Sequence, residues 1–123
     1  MLKVLLVDDD NLTLAVLTAF LVQKNFEIKS ASDGLEGLKL LENEKFDLVI
    51  SDVNMAQMDG ITFLKTLREK GNAVPFIIIT GHASMDGYID AVQKLGAFEY
   101  VQKPVELDVL HAIIMRLLEK NDL

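Results

Sequence analysis

The sequence predicts an α/β domain in which a doubly wound, five-stranded parallel sheet carries helices on both faces. Three nearly continuous runs of Val, Ile, Leu and Phe predict buried strands, and strands buried on both sides are typical of parallel sheets. Between the runs, apolar residues recur every three or four positions, which indicates amphipathic helices. Strand and helix alternate five times, and this order requires crossover connections that place helices on both faces.

The individual elements follow from the same patterns. A fourth apolar run predicts a strand near the C-terminus, and the alternating stretch FEIKSA predicts a less buried edge strand. We expect the five strands at residues 3–7, 26–31, 46–51, 75–80 and 98–101. We expect the five helices at residues 11–25, 33–44, 61–70, 84–95 and 107–120.

Composition narrows the classes of function. The chain has 123 residues, the size of one domain, so we expect a single domain over residues 1–123 without an output domain. The absence of cysteine excludes disulfides, thiolate metal sites and cysteine catalysis, and it is consistent with the reducing cytoplasm. A net charge of −7 argues against a direct nucleic-acid or anionic-membrane surface. No signal peptide is apparent, and no apolar stretch approaches the roughly 20 residues of a membrane span.

Polar residues cluster where the predicted strands end. In sheets of this kind, ligands bind at the carboxyl ends of the strands. The chain places acids, a hydroxyl and an amine at four of these ends: Asp8, Asp9, Asp52, Thr80 and Lys103. We therefore expect these five side chains to meet at one edge of the sheet.

The acidic residues of this group indicate a metal site. Carboxylates within a few ångströms raise one another's pKa unless a cation lies between them. Oxygen ligands select a hard cation, and a few carboxylates with waters suit Mg²⁺ better than Ca²⁺, whose loop pattern the sequence lacks. An acid after a strand is otherwise a helix cap or a solvated loop residue. We prefer that interpretation for Asp10, which precedes the first predicted helix, but not for Asp8 and Asp9, which should meet Asp52.

Lys103 and Thr80 indicate what the metal site would receive. A fixed ammonium opposite metal-bound carboxylates, with a hydroxyl nearby, suits a phosphoryl group. The sequence has no Gly-rich phosphate loop, so nucleotide binding is not expected. An aspartate can itself accept a phosphoryl group and form an acyl phosphate.

Four motifs together resemble the receiver domain of bacterial two-component response regulators. They are LLVDDD, LVISDVNMAQMDG, IIITGH and GAFEYVQKP, in this order and over essentially the whole chain. The resemblance implies a flavodoxin-like fold with strand order 2-1-3-4-5. It also implies a signalling protein that catalyses only its own phosphorylation and dephosphorylation, and not an enzyme acting on other substrates.

The resemblance assigns chemical roles to five residues. Asp52 matches the aspartate that a sensor histidine kinase or phosphotransfer protein phosphorylates. Asp8 and Asp9 match the acidic pair that binds Mg²⁺ together with the phosphoacceptor, and Asn54 matches the residue whose backbone carbonyl completes that site. Lys103 matches the lysine that contacts the phosphoryl group, and its bond to the following proline is usually cis in the family.

The resemblance also implies a switch. Thr80 matches the hydroxyl residue that moves toward the phosphoryl group, and Tyr100 matches the aromatic residue that then turns inward. This change would alter the surface of the fourth helix, fifth strand and fifth helix, where an unknown downstream protein or output domain, or a second copy of the chain, would bind. Asn54 and His82 match positions that tune the lifetime of the phosphoryl group, although His82 is equally well interpreted as a solvated loop residue.

Two other functions remain open at this point. A Mg²⁺-dependent hydrolase that forms an aspartyl phosphate would normally have a second aspartate two positions after the nucleophile, where this chain has Asn54. A receiver-like scaffold that is never phosphorylated would not need the acids and the lysine together. One position departs from the family pattern, because Ala56 stands where proline is usual and its loop is expected to be less rigid.

Overall fold

The structure is a computed structural model that describes residues 1–55, 57–81, 87 and 89–120. Its single sheet is parallel throughout, with strand order β2-β1-β3-β4-β5, which confirms the predicted fold. The strands are β1 Lys3–Val7, β2 Glu27–Ala31, β3 Leu48–Asp52, β4 Phe76–Thr80 and β5 Glu99–Gln102. The helices are α1 Asn11–Gln23, α2 Gly34–Asn43, α3 Gly60–Glu69, α4 Ile89–Lys94 and α5 Leu107–Lys120.

Most predicted boundaries are confirmed to within one or two residues. Three helices begin at an aspartate whose side chain accepts a hydrogen bond from a backbone N–H of the first turn: Asp10, Asp33 and Asp59. Of the predicted fourth helix, the structure describes the π-helix Ile89–Lys94, and Gly87 is helical as well. Residues 84–86 and 88 of the prediction lie outside the described part of the chain.

The core has two layers because successive side chains of a strand point to opposite faces of the sheet. One layer packs against α1 and α5, and its buried strand residues are Val4, Leu6, Leu48, Ile50, Ile77 and Ile79. The other packs against α2, α3 and α4, and its buried strand residues are Leu5, Val7, Ala31, Val49, Phe76 and Ile78. Helices therefore cover both faces of the central strands. Because β1 and β3 are buried in this way, the polar residues at their carboxyl ends have a rigid support.

The described helices are all short. The longest, α5, has 14 residues. None of the helices in the described ranges is long and apolar enough to cross a membrane.

Candidate functional site

Three carboxylates meet at the carboxyl edge of the sheet. Asp8 and Asp9 follow β1, whereas Asp52 is the last residue of β3 and not the first residue of the loop as predicted. One carboxylate oxygen from each of the three lies within 4.8 Å of the others. Asp8 and Asp52 are only 5% and 7% exposed, and Asp9 is exposed. The structure thus brings the three acids together, while their chemical role stays a prediction.

Lys103 completes this cluster. Its Nζ lies 3.2 Å from Oδ2 of Asp8 and 3.3 Å from Oδ2 of Asp52. Its backbone N–H donates to the carbonyl oxygen of Thr80 at 2.6 Å, which fixes the lysine beside the end of β4. The bond between Lys103 and Pro104 is cis, as the resemblance implied. One ammonium group therefore links the two buried carboxylates that come from different strands.

The cluster carries more negative than positive charge. Burial raises the pKa of Asp8, and the charge of Asp52 adds to that effect, although hydrogen bonds from the Asp10 N–H and from Lys103 oppose it. Burial acts to lower the pKa of Lys103, but its hydrogen bond to Asp8 and the charges of both acids outweigh burial and raise it. Three carboxylates and one ammonium carry a formal charge of −2, because three negative charges meet one positive charge. The oxygen donors and this charge fit a hard divalent cation such as Mg²⁺.

Asp10 is the helix cap that the sequence predicts. Its side chain accepts hydrogen bonds from the Leu12 N–H at 3.0 Å and from the Thr13 hydroxyl at 2.9 Å. The Thr13 and Leu12 hydrogen bonds lower the pKa of Asp10. The three consecutive aspartates therefore divide into two members of the acidic cluster and one cap.

Replacing Asp10 with alanine should separate these roles. We expect a lower melting temperature because α1 loses its cap, and unchanged Mg²⁺ affinity because the cluster keeps its three acids. A folded-state pKa below the ordinary value means that the contribution of Asp10 is present at neutral pH and is lost as the pH falls through the lowered value. Thermal unfolding at neutral and acidic pH, with Mg²⁺ titration, checks this. A loss of Mg²⁺ affinity would contradict the assignment.

The predicted switch residues lie on the other face of the sheet from Asp52. Thr80 is fully buried at the end of β4, and it pairs with Gln102 of β5, while Tyr100 pairs with Ile78. Alternation places Thr80 on the same face as Ile78, and Tyr100 packs against that layer of the core. Thr80 and Tyr100 thus share the α3 and α4 face, and Asp52 shares the α1 and α5 face with Ile50.

Of the remaining predicted positions, the structure describes one. Asn54 is exposed in the loop after β3. His82 and Ala56 lie outside the described residues.

The first residue of α3, Gly60, matters more to the site than its place in a common motif suggests. Its N–H donates to the Val53 carbonyl at 2.9 Å, and a Cβ at this position would lie 2.1 Å from the carbonyl oxygen of Asp52. The start of α3 thus lies directly against the backbone of the candidate phosphoacceptor. The only signal in the sequence was the MDG motif, which does not reveal the contact.

Comparison with known proteins decides the family. Residues 4–115 match the family described as the response regulator receiver domain. The chain is a receiver domain of a two-component response regulator. The family match therefore agrees with the strand order and with the site geometry, and it does not depend on either of them.

Individual relatives agree with this assignment. The receiver domain is 38% identical to the transcriptional regulatory protein GlrR of Escherichia coli K12 over 117 residues, which are 95% of this chain and 26% of that protein. Among solved structures, it resembles a CheY-like response regulator receiver domain protein from Methanospirillum hungatei JF-1, with a TM-score of 0.93 and 29% identity, covering 99% of this chain and 97% of that one. It also resembles the chemotaxis response regulator CheY4 of Vibrio cholerae, with a TM-score of 0.87 and 31% identity over 96% and 99% of the two chains.

The receiver domain spans about a quarter of the length of the curated relatives it matches. Receiver domains interact with histidine kinases and with output domains, and the family is a signalling family and not a class of enzymes. The expectation of a single domain without an output domain stays a prediction.

Proposed function

We propose that this receiver domain accepts a phosphoryl group on Asp52 from a phosphohistidine of a sensor histidine kinase or phosphotransfer protein. The observation that carries the proposal is the position of Lys103 Nζ, 3.2 Å and 3.3 Å from the carboxylates of Asp8 and Asp52. A carboxylate oxygen of Asp52 would form a bond to phosphorus as the bond from phosphorus to the donor imidazole breaks, giving an acyl phosphate and a free histidine. Lys103 would then neutralise part of the charge on the phosphoryl oxygens.

Mg²⁺ is the cofactor that this site fits. Asp8, Asp9 and Asp52 would hold it through carboxylate oxygens and Asn54 through its backbone carbonyl. When bound, the ion supplies positive charge that the lysine alone does not provide. The support is the net charge of −2 and the three oxygen donors within 4.8 Å of one another.

The exposed face of α1 supports docking of a helical phosphodonor beside the site. Leu12 and Val16 are 72% and 46% exposed, and they line a largely apolar groove of about 630 Å³ together with Pro104 and Val105. Lys103, whose ammonium contacts Asp8 and Asp52, also lines this groove. Apolar side chains at helical spacing on a free face suit packing against a partner helix.

We further propose that phosphorylation changes the surface formed by α4, β5 and α5 through Thr80 and Tyr100. The phosphoryl group adds charge and acceptor oxygens at the strand end, which would draw the Thr80 hydroxyl and let Tyr100 repack. The output would be an attached domain, a separate protein or a second copy of the chain. Asn54 and His82 would set the lifetime of the acyl phosphate.

Acetyl phosphate with Mg²⁺ tests the chemistry without the kinase. We expect intact-protein mass spectrometry to show the gain of one phosphoryl group, lost on chelation of Mg²⁺ before the reaction and in Asp52→Asn. The matched control is Asp108→Asn, the same change at an exposed acid of α5, which should be labelled normally. Sustained turnover of phosphomonoesters would favour a hydrolase instead, and no labelling at any Mg²⁺ concentration would favour an unphosphorylated scaffold.

A further inference from the structure

The first residue of α2, Gly34, lies against the loop that follows the candidate phosphoacceptor. A Cβ at Gly34 would lie 2.9 Å from Cγ of Met58, 3.1 Å from its Cβ and 3.1 Å from its backbone oxygen. Gly34 is buried, and its φ is not in the left-handed region. Glycine is therefore needed here for space and not for backbone conformation.

The helix that carries Gly34 is a firm support. The Asp33 side chain accepts a hydrogen bond from the Glu36 N–H at 2.9 Å and so caps α2. One turn further, Gly37 is buried, and a Cβ there would lie 2.9 Å from Cζ of Phe63 in the core. The start of α2 is thus held both by its cap and by close packing on α3.

The described residues between β3 and α3, 53–55 and 57–59, which we call the β3–α3 loop, need such a support. The two ends of this loop are tied by the hydrogen bond from the Gly60 N–H to the Val53 carbonyl and by the cap that Asp59 provides. Between these ends, Gln57 has a positive φ of 68°. Residues other than glycine rarely adopt such a φ unless neighbouring groups enforce it. Met58 follows directly and packs against the core layer beneath α2 and α3.

We infer that Gly34 and Met58 are positioning residues that fix the β3–α3 loop, and with it the Asn54 carbonyl, for Mg²⁺ binding. This inference rests on the proposed function, because it assumes that Asp52 and the Asn54 carbonyl hold the ion. The backbone at the start of α2 lies directly against Met58, and this contact holds the middle of the loop in place. The loop thereby gains the rigidity that proline would give and that the sequence, with Ala56, does not encode locally.

The two glycines of α2 allow a matched test. Gly34→Ala and Gly37→Ala are the same change in the same helix, and each new Cβ approaches a side-chain atom to 2.9 Å, but only the first touches the β3–α3 loop. We expect Gly34→Ala to bind Mg²⁺ about 10-fold more weakly by calorimetry, as is typical when a residue supporting metal ligands is lost. Gly37→Ala should change the melting temperature and leave Mg²⁺ affinity within about 2-fold, because its contacts lie in the core.

Two further measurements keep the test decisive. Met58→Ala removes the side chain that packs against the core layer and adds no atom. It should reproduce the weaker Mg²⁺ binding even if Gly34→Ala folds poorly. In the metal-free proteins, amide resonances of the β3–α3 loop should shift in Gly34→Ala, whereas shifts in Gly37→Ala should centre on Phe63. Wild-type affinity in both Gly34→Ala and Met58→Ala would overturn the inference alone. A wild-type protein that binds no Mg²⁺ and accepts no phosphoryl group would overturn the proposed function and the inference with it.

Discussion

Replacing Gly60 with alanine is expected to destabilise the protein by about 3 kcal/mol, the upper range for an atom forced into a packed interior. The new Cβ would lie 2.1 Å from the carbonyl oxygen of Asp52 and 3.0 Å from the Val53 Cα, and both are backbone atoms that no rotamer change can move. The better helix propensity of alanine recovers only about 1 kcal/mol in a helix interior and less at a first residue such as Gly60. Urea unfolding followed by circular dichroism measures the loss.

The same substitution should disturb the site. The strand end that carries Asp52 must shift away from α3, so phosphorylation by acetyl phosphate should be slower even in the folded fraction. Gly81→Ala is the matched control, because a Cβ there meets nothing within 4 Å and the residue lies outside the left-handed region. We expect its unfolding free energy to change by less than about 0.5 kcal/mol. Equal stability of the Gly60 variant and wild type would show that the contact is not tight.

The second large effect is expected for Asp8→Asn, which should change Mg²⁺ binding and metal-free stability in opposite directions. Loss of a direct carboxylate ligand should weaken Mg²⁺ binding by more than about 100-fold, beyond the usual cost of losing a supporting residue. At neutral pH the metal-free variant should nevertheless melt at a higher temperature than wild type. The asparagine carries no charge at the buried position and can still accept the Asp10 N–H hydrogen bond.

The sign of the stability change follows from the raised pKa of Asp8. Below the ordinary pKa of aspartate, the residue is protonated in the folded and the unfolded chain and carries no penalty. As the pH rises past that value, the unfolded chain releases its proton first, so wild-type stability falls until the raised pKa is passed. The advantage of Asp8→Asn should therefore be largest near neutral pH and vanish in acid.

Calorimetry with and without a chelator measures both quantities. Asp9→Asn is the control, since it makes the same change at an exposed member of the cluster. It should weaken Mg²⁺ binding while leaving the metal-free melting temperature close to that of wild type. A lower metal-free melting temperature for Asp8→Asn at neutral pH would contradict the assignment of burial as the cause of the raised pKa.

Several features were predictable from the chain because they depend on local pattern. The strands β1, β3 and β4 are nearly continuous in apolar residues, and such strands can only be stable when both faces are covered. Asp10 could be assigned as a cap because it stands directly before an apolar helical pattern. The meeting of Asp8, Asp9 and Asp52 followed from topology, since parallel strands deliver their carboxyl ends to one edge.

Two details of the elements could not be predicted from local pattern. The fourth helix was expected over residues 84–95, and its described part is the π-helix Ile89–Lys94, whose wider turns sequence periodicity does not distinguish from those of an α-helix. Asp52 was placed just after β3, yet it belongs to the strand, because its neighbour Ser51 pairs with β1 and Asp52 itself pairs with β4. The boundary at Asp52 depends on hydrogen bonds to strands far apart in sequence, which sequence periodicity does not report.

The element order, the two-sided core and the chemical types of the site residues are thus properties of the amino-acid sequence, because periodicity and strand-end placement are local. Three other properties were decided only in the folded chain. Lys103 bridges Asp8 and Asp52, whereas Asp9 stays exposed. Thr80 and Tyr100 share the face opposite Asp52. Gly34 of α2 and Gly60 of α3 allow their helices to approach the backbone beside the site closely. These depend on contacts of a few ångströms between residues far apart in sequence, and only the close packing of the two core layers determines such distances.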